Sequence, residues 1–135
     1  MSQENAEIVR LWWAGFNEHG MPPLELCDER IEIRNQADFP GTPVFRGHDG
    51  VREWRAESFD FDTVDHVRVE VDEIIEAADG ETVVMAVRTL GHSKRFEMDY
   101  EVPWAAVVII RHGKWCSAQG YLHKAEALEA AGLRE

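Results

Sequence analysis

Apolar and polar positions along this chain fall into helical and strand periods that leave few residues unassigned. Over residues 3–19, Ile8, Val9, Leu11, Trp12, Trp13 and Phe16 fall within one arc at about 100° per residue, with Glu7, Arg10, Ala14 and Asn17 filling the other side. This predicts an amphipathic helix that walls the core. Gly20 stops it, and Pro22-Pro23 can open a short second helix through about Cys27. Residues 30–35 (RIEIRN) alternate, with Ile31 and Ile33 inward, as a strand does. The segment QADFPGTPVFRG reads as a loop. His48-Asp49-Gly50 then starts a third helix, whose Val51 and Trp54 share a face at spacing three.

The second half is read as strands. Residues 67–74 alternate apolar and charged, a half-exposed strand ending near Ala78-Asp79-Gly80. Residues 82–90 form the next strand, followed by a turn around His92-Ser93-Lys94. Residues 95–122 read as two further strands joined at 111–114. Within them WAAVVII (104–110) is apolar at every position, so both of its sides are covered. Residues 124–131 are strong helix formers closed by Gly132. The order predicts one α+β domain over residues 1–135, with helices packed on one face of a curved antiparallel sheet.

Charge narrows the partners. With 26 acidic and 14 basic side chains the formal net charge is −12, which repels a phosphate backbone or an anionic membrane surface. No apolar run reaches the roughly 18 to 20 residues of a membrane span. The first residues lack a basic start followed by an apolar block, and two distant cysteines fit a reducing compartment. A soluble cytoplasmic protein is expected. The six histidines have no metal-ligand spacing, and no glycine-rich phosphate loop or nucleophile elbow occurs, so neither a metal nor a cofactor is expected.

The final hairpin decides which side chains share a face. A three-residue loop at 111–113 sets Ile110 opposite Lys114 and gathers Trp104, Ala106, Val108, Cys116, Ala118, Gly120 and Leu122 on one dry face. A two-residue turn at His112-Gly113 instead sets Ala106 opposite Gln119. The first is preferred, because its small residues leave room for a ligand. Trp115 then falls on the outer face, a mixed apolar surface suited to a twofold contact. On the preceding hairpin, a turn centred on Ser93-Lys94 sets Arg88 opposite Asp99. This is an outer-face charge pair, or a polar anchor facing the pocket if Pro103 marks a bulge.

The helix ending WWAGFNEHG, the strand and loop IEIRNQADFPG, the motif FRGHDGVREW, the strand ending RHGK and the tail YLHKAEALEAAGL together resemble the SnoaL-like branch of the nuclear transport factor 2 superfamily. The resemblance spans nearly the whole chain. It implies a cone-shaped half-barrel with helices on the concave face of its sheet, a deep apolar pocket, and a homodimer formed through the outer sheet face. Members of the family include polyketide cyclases, ketosteroid isomerases, dehydratases and epoxide hydrolases. Carried across by position, Trp12 stands where ketosteroid isomerases have an oxyanion-binding tyrosine. Asn35 falls near their general-base aspartate, and Ala106 near both their second acid and the cyclases' catalytic acid. None of the three can fill the corresponding role.

The residues expected to face a ligand are Trp12, Phe16, Asn35, Trp54, Tyr100, Trp104, Ala106, Val108, Ala118 and Leu122. The catalytic candidates are Asp38 (a rim base, or a turn-forming aspartate) and the Arg88–Asp99 pair. Two functional readings follow. One is acid–base isomerase, dehydratase or cyclase chemistry on a small, apolar, oxygen-bearing metabolite of polyketide, terpenoid or steroid type. The other is a non-catalytic binding or accessory dimer.

Overall fold

The stripe along the first helix is buried against a sheet. A computed structural model describes residues 3–35, 41–59 and 62–133. Helix α1 (Gln3–His19) buries Val9, Trp12, Trp13 and Phe16. Leu11, expected on the same arc, is 49% exposed; at 100° per residue it lies far round from Val9 and Phe16. Gly20, at φ 73°, ends the helix and donates its N–H to the Phe16 carbonyl at 2.7 Å. The expected second helix is only one turn of 3-10 helix, Leu24–Leu26, because strand β1 (Cys27–Arg34) begins at once and pairs Cys27 with Trp115.

A short strand β2 (Val44–Arg46), inside the segment read as loop, pairs with the end of β1. Three residues are too few to show an alternation. Helix α2 (Gly47–Ser58) follows and buries Val51 and Trp54. Strands β3 (Val64–Glu76), β4 (Thr82–Ser93), β5 (Met98–Arg111) and β6 (Lys114–Tyr121) then form a meander, closed by helix α3 (Lys124–Ala130).

The sheet order is β2-β1-β6-β5-β4-β3. Every pairing is antiparallel except β1 with β6, which is parallel, so the sheet is mixed. Its two edges do not meet. Register shifts between Asp65 and Arg68, Val71 and Glu73, and Ile109 and Ile110 mark bulges, which bend strands and increase twist. The result is an α+β cone, as expected. Helices α1 and α2 pack on its concave face, where Val83, Met85 and Val87 of β4 alternate with outward residues. Helix α3 lies on the other face, with Ala127 and Leu128 against Val84 and Ala105. Asn17 joins α1 to the edge strand β3 by donating to the Val69 carbonyl and accepting from its N–H, both at 2.8 Å. Those two groups would otherwise be left bare on a sheet edge. Among the described residues, no helix is long and apolar enough to cross a membrane.

Candidate functional site

Between the concave face and the two helices lies a cavity of about 610 Å³, within the roughly 300–1,000 Å³ usual for small-molecule pockets. All five tryptophans of the chain line it. Its floor is built by Trp12, Trp13 and Trp115, each no more than 2% exposed, with Met85, Ile33 and Ala106. The indoles brace one another: Trp13 meets Trp12 edge-on at 4.8 Å and Trp104 edge-on at 5.9 Å. Two of the floor N–H groups are taken up by sulfur. Trp12 Nε1 donates to Cys27 Sγ at 3.4 Å and Trp13 Nε1 to Met85 Sδ at 3.2 Å, while the buried Trp115 Nε1 has no hydrogen-bond partner among the described residues.

Strand register explains the space. Ala106 pairs with Gly120 and Val108 with Ala118, so small side chains face one another across β5 and β6. The turn, however, is the two-residue form. His112 and Gly113 both have positive φ, 55° and 75°, and Arg111 pairs with Lys114, as a type I′ turn demands. Ile110 therefore faces Trp115, and the bulge at Cys116 restores the parity expected further on. This corrects two placements: Trp115 points into the core, and Cys116 is half-buried away from the cavity.

Eight of the ten expected ligand-facing residues line the cavity: Trp12, Asn35, Trp54, Tyr100, Trp104, Ala106, Ala118 and Leu122. Phe16 and Val108 do not. Phe16 is buried behind Trp13 and against Phe59, and Val108 is sealed within the core. Met85, Thr89, Glu57 and Trp115 line it as well. Thr89 and Met85 fall at odd positions of β4, where the alternation Val83-Met85-Val87-Thr89 was a usable signal; Trp115 was hidden by the turn type.

The polar groups gather toward the open end, where Val102 and Leu122 are 48% and 52% exposed. Trp104 Nε1 donates to Thr89 Oγ1 at 2.8 Å. Tyr100 pairs with Gly91, and its phenol lies over that glycine, where a Cβ would collide with it. Burial raises the Tyr100 pKa, so the phenol stays protonated. Asn35 Nδ2 donates to the Thr42 carbonyl at 2.8 Å. Glu57 accepts from Thr42 N–H and Oγ1, both at 2.7 Å, and these bonds hold its carboxyl below the ordinary value. It fastens the rim and has both oxygens occupied.

The expected Arg88–Asp99 pair is not formed. The hairpin turns through four residues, 94–97, which sets Arg88 opposite Pro103 and Asp99 opposite His92. Arg88 instead bonds Asp72 and Glu70 on the outer face, at 2.9 and 3.0 Å. Asp99, with a 92% exposed side chain, bonds His92 at 2.9 Å. Neither reaches the cavity. Asp38 lies outside the described residues. Among the described residues no three His, Cys, Asp or Glu side chains are grouped as a metal ion needs.

A half-open cone with helices over its concave face and an apolar cavity between them is the nuclear transport factor 2-like, ketosteroid isomerase-like fold. The family model of the SnoaL-like domain matches residues 9–118, and the chain belongs to that family. No curated protein sequence matches it. Solved structures are similar in fold. One is a protein with ketosteroid isomerase-like fold from Catenulispora acidiphila in complex with trimethylamine, with 23% identity, TM-score 0.67, and 95% and 94% of the two chains covered. Another is TerC co-crystallised with polyporic acid, with 20% identity, TM-score 0.71, and 93% and 98% covered. A third is SalBIII, an epoxide hydrolase/cyclase-like enzyme with a role in pyran ring formation in the polyether salinomycin, with 20% identity, TM-score 0.70, and 90% and 92% covered.

Proposed function

We propose that this SnoaL-like domain binds a small, mostly apolar, oxygen-bearing molecule, of polyketide, terpenoid or steroid type, inside its cone. One observation carries the reading: a cavity of about 610 Å³ walled by five tryptophans, with only a few polar groups near its mouth. Burial of apolar surface against such walls supplies affinity at about 25 cal/mol per Å², and a few polar groups fix orientation. Among the described residues no carboxylate with a free oxygen faces the space, which favours binding without turnover. Polyporic acid in TerC and ring formation by SalBIII support an oxygen-bearing guest.

A second reading is acid–base isomerase, dehydratase or cyclase chemistry with Asp38 as the base. It is favoured by the place of Asn35 and Gly41, which bracket residues 36–40 in sequence and both line the cavity. A screen of cyclic ketones, lactones and epoxides by tryptophan fluorescence, followed by product analysis, tests both readings. Saturable binding without product supports the first. Product that disappears in Asp38→Asn while binding persists supports the second, and no saturable binding by any compound contradicts both.

A further inference from the structure

The polarity of this cavity runs from an apolar floor to a hydrogen-bonding lip. At the floor, Trp12 and Trp13 spend their N–H groups on sulfur, Trp115 Nε1 has no exposed surface, and Ala106 offers no polar atom. At the lip, two donors lie on the same inward face. Gly91 and Thr89 are two residues apart on β4, about 7 Å along the strand, and the Tyr100 phenol from β5 is laid over Gly91. Thr89 is 8% exposed, and its Oγ1 already accepts the Trp104 N–H, which leaves the hydroxyl proton to be given away. The Tyr100 hydroxyl has no hydrogen-bond partner among the described residues. Gly91 is the condition for this arrangement, since a methyl group there would collide with the far end of the phenol.

Resting on the binding reading above, we infer that the ligand sits apolar end down on the tryptophan floor, with a carbonyl or ether oxygen held at the mouth by the Tyr100 phenol and the Thr89 hydroxyl. Two donors select an acceptor, and the chain's net charge of −12 selects against an anion. The class is therefore a neutral molecule with an apolar ring or chain body and one acceptor end. Substituents beyond that oxygen project towards solvent and are tolerated, whereas polar substituents at the other end meet the floor and are not. Gly91 acts as a positioning residue through Tyr100.

The test uses acetonaphthone, isotope-labelled at its carbonyl carbon, with binding followed by tryptophan fluorescence and the bound carbonyl by infrared difference spectroscopy. In the wild-type chain the stretch should lie below its frequency in hexane. Tyr100→Phe should raise it and weaken binding roughly five- to tenfold, the loss of one hydrogen bond. Gly91→Ala should raise it too, yet add nothing in the Tyr100→Phe background. Thr89→Val should raise it and Thr89→Ser restore it. Saturable binding with a carbonyl frequency unmoved by Tyr100→Phe and Thr89→Val would overturn this orientation while leaving the cavity a binding site. No saturable binding to the wild-type chain overturns both.

Discussion

The indole of Trp115 lies flat on that of Trp12, with ring centroids 3.9 Å apart and planes within 6°. This one contact ties the last strand to the first helix and forms the base of the cavity. Truncating a buried aromatic removes its contacts and leaves a hole, at a cost of about 3–5 kcal/mol. Trp115→Ala should lose stability on that scale in urea denaturation, and Trp115→Phe clearly less. A loss below about 1 kcal/mol for the alanine variant would mean the stack is not part of the core.

Cysteine reactivity should separate the two thiols. Burial pushes the Cys27 pKa up to about 11, opposed by the Trp12 N–H and reinforced by Glu25, so almost no thiolate exists near pH 8. Cys116 is half-buried. Iodoacetamide on the native chain should label Cys116 and spare Cys27, with both labelled after unfolding in urea. Equal native labelling would contradict the packing around Trp12.

His92 should titrate high. Its hydrogen bond to Asp99, with Asp65 and Glu97 nearby, raises its pKa above the ordinary value. A histidine whose pKa is raised on folding adds stability that is fully present below its unfolded value of about 6.5. That contribution is lost as pH rises through the folded value. An imidazole NMR titration should show the raised midpoint, and Asp99→Asn should lower it. An unmoved midpoint would show that the two side chains do not pair in solution.

Glu57 should behave in the opposite sense. Thr42's N–H and hydroxyl depress its pKa, so its contribution is present above the unfolded carboxylate range, about 4.3, and lost as pH falls through the folded value. Protection of the Thr42 amide from exchange, measured relative to its intrinsic rate at each pH, should be high at neutral pH, lower in acid, and lower at neutral pH in Glu57→Gln. Protection unchanged by the substitution would remove Glu57 as the rim's fastening.

The fold was legible because its signals were long: the stripe of α1, the alternation of β3 and the unbroken apolar run of β5 each survive local ambiguity. The site was legible as far as parity could carry. Ala106, Ala118 and Trp104 fell on the expected face because the bulge at Cys116 adds a second one-residue shift, which returns the parity although Ala106 now pairs with Gly120 and not with Ala118. Trp115 did not, since it lies before that bulge, where the turn alone sets the face. Arg88 and Asp99 failed for a similar reason. A four-residue turn with Glu97 at φ 52° moved the register by four and gave Asp99 to His92. Turn geometry depends on a few backbone angles that hydrophobic period does not encode.

The hollow itself is tested most directly at Gly120. It lines the cavity opposite Ala106, and a Cβ there meets only the Arg34 carbonyl at 3.8 Å, an ordinary contact. Gly120→Phe should therefore fold and fill the space with its ring. Titration calorimetry with acetonaphthone should give saturable one-to-one binding to the wild-type chain and none to Gly120→Phe, with the variant unfolding as cooperatively as the parent. Equal binding by both chains would contradict the account, because the guest would then be sitting somewhere else.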